Sequence, residues 1–152
     1  MPEKAALPRN DPAKVRLRFW LQLLKATRHV ENDIRDRLRR EFDTTLPRFD
    51  VLAMLAKSGT GLKMSELSAE LMVSNGNVTG IIDRLVAEGL VIRVSIEGDR
   101  RATLVRLTAK GQKSFSAMAE THEGWVGELL GALNEDEIAR AMTTLAKVRE
   151  LK

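Results

Sequence analysis

The chain of 152 residues carries 25 Lys and Arg against 21 Asp and Glu, with no cysteine, two histidines and 4% aromatic residues. Such a composition excludes disulfides, thiolate-bound zinc and a thiol redox switch, and the absence of Tyr argues against a stacking platform for single-stranded nucleic acid. A hydrophobic content of 43% supports one compact domain with helical extensions, while the lack of a signal-peptide core or of roughly 20 consecutive apolar residues leads us to expect a soluble, cytoplasmic protein.

In chain order, Asn10-Asp11-Pro12 predicts a helix start, with Asp11 accepting backbone N–H groups and Pro12 in the first turn. Trp20, Leu23, Leu24, Thr27, Val30, Ile34 and Leu38 then recur every three or four residues, one apolar stripe on a helix of about thirty residues. A helix so long in so small a chain needs a partner to cover its stripe. Thr45-Leu46-Pro47 opens a second helix through Val51, Leu52 and Leu55 that stops at Ser58-Gly59. Ser65 is expected to cap a short third helix through Leu67 and Leu71. After a break at Val73-Ser74-Asn75-Gly76, a fourth helix runs to Gly89 with Val78, Ile81, Ile82, Leu85 and Val86 inward. Leu90–Val94 and Thr103–Leu107 read as strands joined by a turn at Glu97-Gly98-Asp99. Thr108 caps a long fifth helix, and Asn134 with Glu137 forms a capping box for a last helix with Ile138, Met142, Leu145 and Val148 on one face.

Helix, helix, helix and hairpin between residues 46 and 108 spell a winged helix-turn-helix, so the expected fold is mainly α with a small β-hairpin wing. Residues 63–110 hold seven basic against six acidic side chains, so bulk charge says little about nucleic acid, and the case rests on individual positions. With its apolar residues turned inward, the fourth helix presents Asn75, Gly76, Asn77, Thr79, Gly80 and Asp83. These are short polar groups suited to base edges and phosphates. The hairpin tip carries Asp99-Arg100-Arg101. An arginine there can enter a narrow minor groove, and Asp99 is expected to hold Arg84 or Arg101 and so fix the tip. His29 and His122 lack partners at metal-ligand spacing, so no metal or other cofactor is expected. With no Gly-rich phosphate loop and no Ser or Thr beside a base, the chain is not read as an enzyme.

Val73-Ser74-Asn75-Gly76-Asn77-Val78-Thr79, Asp83-Arg84-Leu85 and Glu88-Gly89-Leu90-Val91 resemble the recognition helix of the MarR (multiple antibiotic resistance regulator) family. Asp99-Arg100-Arg101, followed by Leu107-Thr108 and Gly111, is similar to its wing. The resemblance covers nearly the whole chain. It implies a single domain over residues 1–152 in which helices in 1–45 and 109–152 clasp a second copy around a DNA-binding lobe at 46–108. It further implies base contacts from Ser74, Asn75, Asn77 and Thr79, phosphate contacts near Ser65 and Arg84, and a minor-groove contact from Arg100 on a pseudo-palindromic double-stranded operator. Repression is the family's usual mode.

A small-molecule effector is the family's usual switch. Its expected pocket lies where the first, second and fifth helices meet, with Trp20, Leu24, Phe42, Arg48, Phe49 and Trp125 as candidates. Leu46-Pro47-Arg48-Phe49-Asp50 resembles a segment of the branch that controls aromatic-acid catabolism, which points to an aromatic acid or aryl-CoA thioester. Residues 1–48 hold twelve basic against seven acidic side chains, and among them Arg16, Arg18, Lys25 and Arg28 could meet the phosphates of coenzyme A. The same arginines read equally as a solvated helix face. The rival function is a winged-helix adaptor for protein docking without sequence-specific DNA binding.

Overall fold

A computed structural model of the chain describes residues 11–71 and 75–150, excepting the side chains of residues 75, 76 and 99–102. The described elements are α1 (Pro12–Phe42), α2 (Leu46–Ser58), β1 (Leu62–Lys63), α3 (Met64–Leu71), α4 (Asn75–Ala87), β2 (Val91–Ile96), β3 (Asp99–Leu107), α5 (Ala109–Leu129) and α6 (Glu135–Glu150). Mainly helical with a small antiparallel sheet, the architecture is the winged helix expected from the sequence. Among the described residues no helix is long and apolar enough to cross a membrane.

The Asp11 carboxylate accepts the Ala13 N–H at 3.0 Å, and α1 runs 31 residues from there. It stops at Asp43, whose φ of 48° is left-handed, a conformation that short polar residues such as Asp tolerate. That reversal lets α2 begin after three residues, with the Thr45 hydroxyl oxygen accepting the Arg48 N–H at 3.3 Å. Leu52 and Leu55 of α2, Leu67 of α3, Val78, Ile82 and Leu85 of α4, and Val91 and Val105 of the sheet are all buried together. The core therefore holds the lobe by the offsets of three and four that the sequence displays.

Two features differ from the sequence reading. The sheet has a third strand, in the order β1-β3-β2, with Leu62 opposite Val105 and Val91 opposite Leu107. Two residues carry no detectable period, but the preceding Gly61 is diagnostic. Its φ is 110°, and a Cβ there would lie 2.9 Å from the Val105 carbonyl oxygen. Pairing with β3 keeps Leu62 and Lys63 extended up to the start of α3, so Ser65 lies inside the first turn instead of capping it. The capping acceptor is the Glu66 carboxylate, which takes the Lys63 N–H at 3.1 Å. The hairpin is also longer than expected, since pairing extends to Ile96 opposite Asp99 and leaves only Glu97 and Gly98 between the strands.

The sheet's exit ties three elements together. Thr108 donates its N–H to the Leu90 carbonyl at 3.0 Å and its hydroxyl to the Gly89 carbonyl at 2.6 Å. Its hydroxyl oxygen accepts the Gly111 N–H at 3.0 Å, and the Lys110 ammonium donates to the Glu88 carbonyl at 2.9 Å. The exposed carbonyls behind α4 are thus satisfied by the first turn of α5. At Gly111 the approach is so close that a Cβ would stand 1.9 Å from the Leu90 carbonyl oxygen.

The second half of α1 packs on α5 and α2 through Ile34, Leu38, Met118, Phe49 and Trp125, all buried. Aromatic rings fill this seam: Phe42 lies 6.0 Å from Trp125, and Phe49 lies 5.6 Å from Phe115 and 4.6 Å from His122. Arg37 stands 6.0 Å from the Trp125 ring and pairs with Asp33 and Glu128. No such cover reaches the ends. Val15, Leu17, Phe19, Trp20 and Leu21 of α1 are exposed, as is every residue from 130 to 150. The reciprocal box at the start of α6, Glu137 N–H to Asn134 at 2.8 Å and Asn134 N–H to Glu137 at 3.2 Å, therefore begins a helix that buries none of its residues within the chain.

Gly111→Ala is expected to destabilise the fold by about 3 kcal/mol or more, because backbone rather than a movable side chain opposes the methyl group; urea unfolding measures it. Burial in the aromatic seam lowers the His122 pKa below the ordinary histidine value. On acidification the unfolded chain takes up this proton before the folded one, so stability is lost as pH falls through the ordinary histidine value of about 6.5 towards the lower value of the folded chain. Urea midpoints across that range should fall less steeply in His122→Gln than in the parent.

Candidate nucleic-acid interface

The buried triad Val78, Ile82 and Leu85 fixes the rotation of α4 and divides its exposed surface in two. Towards the hairpin, Asp83 pairs with Arg93 of β2. Both side chains remain largely in solvent, at 58% and 37% exposure, so this pair orients the wing more than it stabilises the fold. On the other flank, Asn77, Gly80, Ile81 and Arg84, spaced three, four and seven apart, form one wall of a cavity of about 550 Å³. The opposite wall comes from Arg35, Asp36 and Arg39 of α1 and from Thr44, Thr45, Leu46 and Pro47 at the corner into α2.

The residues expected to meet DNA distribute as follows. Ser65 is exposed in the first turn of α3; Asn77, Thr79 and Arg84 are exposed along α4. Asn75 and Gly76 form the first turn of α4, while Asp99, Arg100 and Arg101 open β3, and their side chains lie outside the described residues. Ser74 lies outside them entirely, so the expected grip of Asp99 on an arginine falls there too. The described ion pair between recognition helix and hairpin is Asp83–Arg93, which the sequence reading passed over. An aspartate near a helix end and several arginines on the following hairpin offered no spacing rule by which to choose this pair.

The residues expected to form an effector pocket do not gather in one place within the chain. At 1.5 Å per residue, Trp20 and Phe42 stand about 33 Å apart along α1. Arg16, Trp20 and Arg28 are exposed and Leu24 is half-buried on the N-terminal part of that helix. Phe42 meets Trp125, and Phe49 reaches Trp125 through His122, as ring contacts of the seam. Arg48 spans from α2 to Glu88 behind α4 and pairs with its carboxylate. Its Nε is buried without a hydrogen-bond partner. A cavity sits at the corner between α1, α2 and α4, with Arg35 and Arg39 on its wall. Their i, i+4 spacing on α1 marked a basic strip, but only the three-residue turn through Asp43 reveals what it faces.

A smaller cavity of about 150 Å³ shares Arg35, Leu46, Pro47 and Ile81 with this one and reaches Glu31, Asp50 and Leu71. Burial there, followed by the charge of Glu31, raises the Asp50 pKa above the ordinary carboxylate range. At the larger cavity, Arg35 donates to Asn32 at 3.1 Å. Among the described residues, neither Arg39 nor Arg84 has a side-chain hydrogen bond or ion pair.

This geometry has close counterparts. The MarR family profile matches residues 42–102, from the end of α1 to the wing. The multiple antibiotic resistance protein MarR of Escherichia coli is 34% identical over 129 residues, covering 79% of this chain and 86% of the relative. A MarR family transcriptional regulator from Silicibacter pomeroyi superposes with a TM-score of 0.78 at 32% identity, over 93% of this chain and 98% of that one. A mutant of E. coli MarR complexed with operator DNA superposes with a TM-score of 0.76 at 26% identity, over 91% and 99%. Lobe, wing and flanking helices all participate in these matches, and the chain belongs to the MarR family of DNA-binding transcriptional regulators.

Proposed function

We propose that the chain is a homodimeric, ligand-responsive repressor that binds a pseudo-palindromic operator and is released by a small aromatic acid or its CoA thioester. The observation that carries the DNA-binding part is the joint presentation of α4 and the β2–β3 wing. Both hang from one knot at Thr108, and the exposed side of α4 offers Asn77, Thr79 and Arg84. In this reading Ser74, Asn75, Gly76, Asn77 and Thr79 face the major groove, Ser65 and Arg84 meet phosphates, and Arg100, flanked by Asp99 and Arg101, enters the minor groove.

Association is supported by the apolar surface left at both chain ends. Ile138, Met142, Leu145 and Val148 are 37–66% exposed along one face of α6, and Val15 to Leu21 of α1 are comparably open. A 16-residue helix that buries nothing is marginal in water, so a second copy covering this face accounts for its persistence. Two-fold symmetry then sets the half-sites about one helical turn apart.

Arg100→Ala is expected to cost about 1–3 kcal/mol of operator affinity and to relax preference at the bases beneath the wing. Titration of a labelled duplex selected from genomic fragments, against a scrambled duplex at fixed salt, measures this. Equal affinity for both duplexes, unaffected by the substitution, would instead favour a protein-docking adaptor. Met142→Glu should shift the protein from dimer to monomer in sedimentation velocity and weaken operator binding by at least tenfold, since burying an unpaired charge costs more than about 1.4 kcal/mol; a parent that sediments as a monomer refutes the dimer.

A further inference from the structure

Arg48 sits where the local forces of α2 argue against it. It follows the Thr45 cap within the first turn of the helix, a turn that carries no acidic residue. The start of a helix is the positive end of its dipole, so a guanidinium is disfavoured there. Its Nε is buried with no acceptor, a penalty that few buried donors in a folded chain carry. What offsets both is a contact 40 residues away, where a terminal nitrogen of Arg48 pairs with the Glu88 carboxylate. The Arg48 side chain is only 20% exposed in this pair.

Glu88 directly follows the last residue of α4, and two other helices hold it. Its carboxylate takes Arg48 of α2, and its carbonyl accepts the Lys110 ammonium of α5 at 2.9 Å. Its own N–H donates to the Arg84 carbonyl at 3.0 Å, so a displacement of Glu88 is felt by the last turn of α4. Phe49, the neighbour of Arg48, is buried against Phe115 and His122. Arg48 therefore joins the aromatic seam to the back of the recognition helix, at a point separate from Val78, Ile82 and Leu85. The lever is long. With 13 residues α4 measures about 20 Å, and a tilt of about 10° at its far end moves its start by about 3 Å. That is enough to break a hydrogen bond to a base edge.

We propose that Arg48 is a positioning residue for operator recognition. It contacts no DNA; by gripping Glu88 it fixes the pitch of α4 against α2 and so matches the paired recognition helices of a dimer to their half-sites. This rests on the operator-binding reading above. Non-specific binding draws on phosphate charge and tolerates a tilted helix, whereas base contacts from the start of α4 do not. Arg48 thus governs discrimination between sequences, while a lost phosphate contact would weaken every duplex alike.

Titration of the full-length protein against the operator duplex and the scrambled duplex at fixed salt tests this. Arg48→Met keeps the apolar stem, and Glu88→Gln alters a side chain that is 49% exposed. Each should weaken operator binding about fivefold or more and leave the scrambled duplex within about twofold. The two together should be no worse than the more severe one, since both remove the same contact. Arg48→Glu combined with Glu88→Arg should return operator affinity to within about threefold of the parent, because the exchanged charges pair again and each then suits its helix end. Melting and sedimentation velocity confirm folding and an unchanged association state; should Arg48→Met not fold, Glu88→Gln and the exchanged pair decide. Operator binding unchanged in the single variants, equal loss on both duplexes, additive losses, or an exchanged pair no better than the single variants would each overturn the proposal. A parent that binds neither duplex overturns the regulator reading, and amide exchange then judges the contact without DNA. Arg48→Met should speed exchange at Glu88, Gly89 and Leu90, whose N–H groups close the end of α4, and unchanged exchange there refutes the grip.

Discussion

The arrangement of this molecule depends on the knot at Thr108. One threonine caps α5, holds the Gly89 carbonyl with its hydroxyl and donates its backbone N–H to Leu90, while Lys110 takes the Glu88 carbonyl. The carbonyls left over behind a helix must find donors or water. Here they find the first turn of the next long helix. The recognition helix, the base of the hairpin and α5 thereby become one mechanical unit, and Gly111 is the residue that permits the backbones to come so close. Arg48 extends the unit to α2 through Glu88. Whatever rotates α5 must carry α4 and the wing with it.

On that rigid unit, α4 serves two surfaces through two different sets of residues. Val78, Ile82 and Leu85 are committed to the core and leave no rotational freedom. Asp83 is drawn towards β2 by Arg93, and the row from Asn77 to Arg84 looks across the cavity at the basic end of α1. The electrostatic character of the lobe is consequently local. Its near-zero net charge hides a concentration of guanidinium groups at one corner, made by folding Arg35 and Arg39, remote in sequence, against Arg84.

How much of this could be read beforehand follows from the range of each interaction. Caps at Asp11, Thr45, Thr108 and Asn134 are specified within a few residues and lie where the sequence placed them; the hairpin is present but longer, and of the five residues expected inward on α4, Val78, Ile82 and Leu85 are buried while Ile81 and Val86 are half-buried. Ser65 falls inside the first turn of α3 because β1, a two-residue strand paired with β3 some forty positions later, dictates where α3 begins. Of the residues expected at an effector pocket, Phe42, Phe49 and Trp125 contribute to the aromatic seam, whereas Trp20 lies on the exposed end of α1, a separation that side-chain type alone does not reveal. Open volume is a property of tertiary geometry, set here by the left-handed Asp43, and no residue type announces it.

The two tryptophans give this structure a built-in pair of optical reporters. Trp125 is enclosed by Phe42 and by the guanidinium of Arg37, whereas Trp20 stands 53% exposed on the overhanging end of α1. In a lone chain their emission would separate into a blue, shielded component from the seam and a red, quencher-accessible one from the overhang, and a second copy covering the overhang would shift the latter to the blue. A spectral change confined to the red component would signal an event at the overhang, and one confined to the blue component a rearrangement where α1, α2 and α5 meet.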